Sequence, residues 1–179
     1  MEDRLTTFWL LPAAPGRERL AVRIAALAER HETGTGAFEP HLTLYAGACG
    51  EHDASRIGAE VARRAAPLTL EATRLAHSRL YSKTLFIEFA PTEALRAVER
   101  AIRGAVARPS DYVLAPHVSL MYRAGLSEEE KEALCSAATD LLGSYLFDAL
   151  SVVETEHPLV SGDQVRRWRT LVRAMPLRG

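Results

Sequence analysis

The pentapeptide Pro40-His41-Leu42-Thr43-Leu44 returns 76 positions later (41 to 117) as Pro116-His117-Val118-Ser119-Leu120. Each copy closes the same order of elements. Phe8-Trp9-Leu10-Leu11 reads as a short buried strand broken over residues 12–16, after which Leu20, Ile24, Leu27 and Ala28 mark a helix that fades by His31. The loop Thr33-Gly34-Thr35-Gly36 then leads into an extended segment, 38–45, with Pro40 standing where a strand begins. In the second half Leu85-Phe86-Ile87-Glu88-Phe89 is the strand, Pro91-Thr92 the breaker and N-cap, and Leu95, Val98, Ile102 and Val106 the helical stripe. Arg108-Pro109-Ser110-Asp111 is the loop, and residues 112–122 form the extended segment. The pattern predicts an internal duplication spanning approximately residues 6–46 and 84–122.

Each copy is followed by a further helix, one over 53–64 and one opening at Ser127-Glu128-Glu129-Glu130, where Ser127 and Glu130 have capping-box spacing. Strands are expected over 68–75, 80–89 (a longer version of the strand at 85–89), 145–154 and 168–172. Strands interleaved with four helices predict an α+β fold, bilobal, with two pseudo-symmetric lobes. Each lobe carries a mostly antiparallel sheet flanked by helices, and a cleft lies between them. At 179 residues, 47% of them hydrophobic, the chain can bury its own core, and no linker separates independent domains, so residues 1–179 are expected to form one bilobal domain and a monomer.

Side chains alternate across a strand, so the imidazole of His41 and the hydroxyl of Thr43 share one face while Leu42 and Leu44 take the other. His117 and Ser119 share a face by the same rule. Two such strands related by an approximate two-fold would gather two titratable rings and two hydroxyls around one small ligand. That set suits a phosphodiester: one group takes a proton from the nucleophile, another gives one to the leaving oxygen, and histidine does both near neutral pH. The hydroxyls would donate to the non-bridging oxygens. A lone His-x-Thr carries little weight, since His31-Glu32-Thr33 also fits it at a helix end, where His31 is expected to be solvated. The recurrence, with the shared proline and apolar positions, is what selects the other two.

The 22 basic and 23 acidic side chains leave a net charge of −1, so no global field marks the chain for duplex DNA or an anionic membrane. The only lysines are Lys83 and Lys131. Cys49 and Cys135 are too few for a disulfide framework, lack metal-ligand spacing and are not expected to be nucleophiles, which points to a reducing compartment. The start, Met1-Glu2-Asp3-Arg4, is partly acidic and the apolar run from Phe8 stops at Pro12, so neither a signal peptide nor a membrane span is expected, and the protein is read as cytoplasmic.

With both pentapeptides in place, the chain resembles the two-histidine phosphoesterase superfamily and, within it, the cyclic phosphodiesterase branch. Trp9-Leu10-Leu11-Pro12, Tyr122 five residues after His117, the helix start from Leu126 to Lys131 and Trp168 add to the likeness over nearly the whole length. The resemblance implies metal-independent hydrolysis, without a cofactor, of nucleoside 2′,3′-cyclic or ADP-ribose 1″,2″-cyclic phosphates to a 2′- or 1″-phosphate. It implies that His117 is the base that activates water and His41 the acid. It also implies that Tyr122, Trp9 and Tyr81 contact the substrate, the last two where a base could stack. Arg123 is read as a surface arginine rather than a phosphate contact.

Three other readings compete. RNA-directed relatives process RNA ends but need an electropositive apron, for which only Arg166-Arg167-Trp168-Arg169 speaks, and that stretch reads as a strand with one solvated face. A pure nucleotide-binding module has no need of two proton-transfer groups. A metal site would need regular spacing, which His52, His77 and His157 lack.

Overall fold

The computed structural model describes residues 3–179; Met1 and Glu2, on which the reading of the chain start partly rests, lie outside the described residues. The first unit runs β1 (Asp3–Pro12), α1 (Gly16–Arg30), β2 (Leu42–Gly47), and α2 (Glu51–Arg64) and β3 (Leu68–His77) follow. The second unit runs β4 (Leu85–Phe89), α3 (Glu93–Ala105), β5 (His117–Met121), followed by α4 (Glu128–Ser136) and β6 (Gly143–His157). A short α5 (Gly162–Arg166) and β7 (Arg169–Pro176) complete the chain. The architecture is α+β, with five α-helices and one antiparallel seven-stranded sheet among the described residues.

The helices form where apolar spacing put them. Leu20, Ile24 and Leu27 are the buried positions of α1, which ends at His31, and Leu95, Val98 and Ile102 are buried on α3. Thr92 caps α3, its hydroxyl accepting from the Leu95 N–H at 3.1 Å. Thr92→Ala is expected to lower stability by about 1 kcal/mol, read as a shifted urea midpoint at unchanged slope. Ser127 and Glu130 form the reciprocal capping box at the start of α4. Gly58 lets α2 lie close on the sheet, because a Cβ there would stand 2.8 Å from Val152 and Met175 atoms.

The expectation of a separate sheet in each half gives way to one sheet in the order β1-β2-β5-β4-β3-β6-β7, with β1 also paired to β6. The reason is the length of β6. Residues 143–147 pair with β3, while residues 147–157 pair with β1 and residues 149–154 also pair with β7, so one 15-residue strand serves both halves. Phe147 is the hinge of this arrangement, opposite Pro12 and Leu68 at once. The circuit closes through a single antiparallel pair, Leu42 with Val118, between β2 and β5.

Two local expectations are corrected. The strand over 80–89 begins only at Leu85, because Tyr81–Lys83 curl into a 3-10 turn held by the Ser78 hydroxyl on the Lys83 carbonyl (2.7 Å) and the Thr84 hydroxyl on the Tyr81 carbonyl (3.0 Å). The stretch 166–169 is not a strand with a solvated face: Arg166 ends α5, β7 starts at Arg169, and Trp168 turns inward between them.

Candidate active site

The Leu42–Val118 pair joins the residues that directly follow the two histidines. Both apolar partners are fully buried. Carrying the antiparallel register one residue each way sets His41 across from Ser119 and Thr43 across from His117, all four on the face opposite the buried pair. A cleft of about 670 Å³ opens on that face, and its lining includes His41, Thr43, His117, Ser119, Tyr122, Trp9 and Tyr81. All seven residues singled out in the sequence are therefore brought together. Sequence reasoning missed Trp168, Lys83, Thr7 and Ser82 as wall residues. Trp168 carried a signal in its likeness to the cyclic phosphodiesterases, whereas the other three have none outside the tertiary pairing.

The two histidines are held alike. The Nδ1–H of His41 donates to the Glu39 carbonyl at 2.7 Å, and that of His117 to the Ala115 carbonyl at 2.6 Å, in each case two residues back across the proline. A carbonyl only accepts, so Nδ1 must carry the hydrogen and Nε2 is the nitrogen left for the cleft. Burial holds both rings well below the ordinary histidine range, at about 4 each. The backbone hydrogen bonds work against that lowering, while each site also feels a cation or the other ring: Lys83 on His117, His117 on His41. At neutral pH both rings are therefore uncharged.

The flanking strands repeat the symmetry and then break it. Trp9 on β1 pairs with Thr43, and Phe86 on β4 pairs with Ser119. His41 stacks flat on Trp9, with centroids 3.7 Å apart and planes at 13°, whereas His117 meets Phe86 edge-on at 5.5 Å. The Phe86 ring instead lies under the Lys83 ammonium, 4.5 Å from its centroid. Trp168 stands edge-on to both Trp9 (5.2 Å) and His41 (5.9 Å), and Tyr122 stacks on Phe38 at 4.4 Å. Burial raises the Tyr122 phenol far above its ordinary range, so it stays protonated.

The hydroxyls also differ. Ser119 donates to the Ser82 carbonyl of the 3-10 turn at 3.0 Å, while Thr43 makes no side-chain hydrogen bond among the described residues. His31 is not solvated as expected. It is half-buried, its Nε2 is shielded and unpartnered, and burial with Arg123 and Arg30 nearby lowers its pKa. Arg123 does not line the cleft, and neither cysteine does; burial pushes both thiols up. Among the described residues no group of three or more His, Cys, Asp and Glu side chains is placed to hold a metal ion, and no helix is long and apolar enough to cross a membrane. A separate groove of about 560 Å³ between α2 and α3 is walled mainly by small and aliphatic side chains and holds no histidine.

A family model described as the 2′-5′ RNA ligase superfamily matches residues 16–158. A search of curated proteins finds no match. Among solved structures, apo Escherichia coli LigT is 20% identical, with 99% of this chain and 96% of that one covered at a TM-score of 0.53. TT0787 of Thermus thermophilus is 15% identical over 100% and 99% of the two chains, at 0.60. At these identities the likeness is one of fold.

Proposed function

The chain belongs to the 2′-5′ RNA ligase superfamily, and from that footing we propose that it hydrolyses small cyclic phosphodiesters to phosphomonoesters by paired histidine acid–base catalysis, without a metal. The substrates are a nucleoside 2′,3′-cyclic phosphate or ADP-ribose 1″,2″-cyclic phosphate. The carrying observation is the Leu42–Val118 pair, which sets two rings and two hydroxyls on one face of one cleft. We take residues 6–46 and 84–122 as duplicated halves of one bilobal domain that meet at this pair.

In this reading His117 Nε2 takes a proton from water, and the oxygen so freed attacks phosphorus. The bond from phosphorus to one ring oxygen breaks, and His41 gives that oxygen the proton on its Nε2. The asymmetry of the walls favours these roles. Trp9 offers its π-face to His41 and so favours the charged ring, whereas at His117 the Lys83 ammonium disfavours charge and the Glu88 carboxylate partly offsets it. The Thr43 hydroxyl donates to a non-bridging oxygen, and Ser119 does so once it releases the Ser82 carbonyl. Trp9, Tyr81, Tyr122 and Trp168 wall a space for the base. Complexes of E. coli LigT with 3′-AMP, ATP and NADP+ support a nucleotide-like ligand for this fold.

The pH dependence follows in sign. The base must be neutral, which fails only as pH falls through its lowered pKa. The acid must be charged, which fails as pH rises through its own. The kcat/KM profile is therefore expected to be a bell with both limbs on the acid side of the ordinary histidine range, since both rings sit at about 4 in the free protein. The kcat profile lies higher, because the bound phosphate anion raises the acid. A monotonic kcat/KM profile contradicts paired roles.

RNA ends bearing a 2′,3′-cyclic phosphate are the second reading, favoured by the family match. Against it, the basic stretch is neutralised: Arg166 pairs with Asp163, Arg167 with Glu156 (2.5 Å) and Arg169 with Glu51 (2.9 Å). Rates on a cyclic mononucleotide, ADP-ribose cyclic phosphate and an RNA oligomer with a cyclic end decide between them. A rate on the oligomer far above both small molecules, falling steeply with salt, sinks the small-molecule reading.

A further inference from the structure

We propose that Lys83 is a further anion-binding residue of the cleft, holding with Ser119 the non-bridging oxygens of the substrate's phosphate on the His117 side, while Arg79, the other cation of the lining, stands out in solvent. This rests on the reading of the cleft as a phosphodiester site and adds a residue that neither repeat contains.

The placement is built. Lys83 ends the 3-10 turn Tyr81–Lys83, and that turn is tied to its surroundings at both ends. Within it the Ser78 hydroxyl holds the Lys83 carbonyl (2.7 Å), and across it the Ser119 hydroxyl holds the Ser82 carbonyl (3.0 Å). Thr84, the next residue, shares its hydroxyl hydrogen between the Tyr81 carbonyl (3.0 Å) and the Arg123 carbonyl just past β5 (2.6 Å). The ammonium rests 4.5 Å above the Phe86 ring and lines the same cleft as the four motif groups. Of the two lysines in the chain, Lys131 is buried and consumed, donating to Glu128 at 2.6 Å and to the Ser78 carbonyl. Lys83 has no carboxylate within ion-pair distance among the described residues. The one acid that influences it, Glu88, is taken by a two-pronged hydrogen bond from Arg74 at 2.6 and 3.1 Å. A partly buried ammonium beside proton-transfer groups and lacking a counter-ion is the arrangement that an incoming phosphate satisfies. A compact ammonium suits phosphate oxygens as a point charge.

The groups facing His117 are Lys83 from the turn, Glu88 from β4 and His41 across the β2–β5 pair. Removing the ammonium removes one of the influences that hold His117 low, leaves Glu88 acting in the opposite sense, and leaves His41 nearly unchanged. A ligand role and a structural role therefore differ in what they move.

The test is a proton NMR titration of the histidine ring resonances, with and without inorganic phosphate, in the native chain, Lys83→Met and Lys83→Arg. The kcat/KM on a 2′,3′-cyclic nucleotide is measured beside it. In Lys83→Met, phosphate affinity is expected to fall at least about tenfold and kcat/KM about a hundredfold. The His117 midpoint rises in the phosphate-free protein while that of His41 stays, and Lys83→Arg recovers most of both losses. Native phosphate affinity and an unmoved His117 in Lys83→Met overturn the assignment. Equal losses in Lys83→Arg, with both histidines disturbed, also overturn it, by showing a packing role. If the native chain turns over no cyclic nucleotide, yet phosphate binding and the His117 midpoint respond to Lys83→Met, the hydrolase reading fails and the anion site stands.

Discussion

His117→Ala and His41→Ala are each expected to lower kcat on a cyclic phosphodiester by about 10²–10⁴-fold, the range that a positioned proton-transfer group supplies. The two losses should not multiply. Once one ring is gone the other has no partner for its proton, so the double variant falls little below the worse single one. The positions differ in surroundings. His41 is 8% exposed and lies flat on Trp9, so its removal also uncovers an indole face, whereas His117 is the more open ring. Near-ultraviolet circular dichroism separates these effects: His117→Ala should keep the aromatic signal of the native chain, while His41→Ala alters the Trp9 environment. Either single variant retaining more than about a tenth of the native rate contradicts the proposed roles.

Phe147→Ala is expected to cost about 3–5 kcal/mol, a large share of the stability of a single domain. Phe147 is fully buried, meets Phe89 edge-on at 5.5 Å, and stands where β6 passes from β3 to β1. Truncation there empties space at the junction of the two halves, and the strands lying on both sides of β6 limit how far the site can collapse. Urea unfolding should show the midpoint displaced in one transition. Two separated transitions would show that the halves do not share a core through β6. A loss below about 1 kcal/mol would show that the junction repacks freely.

The motif residues were legible because their rule is local. A period of two puts His41 with Thr43 and His117 with Ser119 whatever the partner strands are, and the buried Leu42, Leu44, Val118 and Leu120 confirm which face is which. The stripes of α1 and α3 and the caps at Thr92 and Ser127 were legible for the same reason. What pairs with what was not. Nothing in the apolar alternation of 145–154 says that its strand extends to His157 and serves two neighbours in succession, which is why two sheets were expected where one forms. The 3-10 turn was hidden by Leu80 and Tyr81, whose apolar character continues the strand pattern backwards, while the hydroxyls of Ser78 and Thr84 that curl the chain act through backbone carbonyls. Lys83, at the end of that turn, was missed for that reason, whereas Trp168 was noted only for its likeness to the cyclic phosphodiesterases and not as a wall of the cleft. Each reaches the cleft only because the fold brings distant segments together around it. His31 shows the converse, a helix-end histidine that looks solvated until the fold half-buries it and brings Arg123 and Glu130 near enough to act on it.

Metal-independent opening of a cyclic phosphodiester is tested by phosphorus NMR of 2′,3′-cyclic AMP incubated with the native chain in excess chelator. The cyclic phosphate resonance is expected to be replaced by that of a single phosphomonoester at a rate the chelator does not change. A cyclic resonance that persists, or turnover that the chelator abolishes, would contradict metal-independent opening.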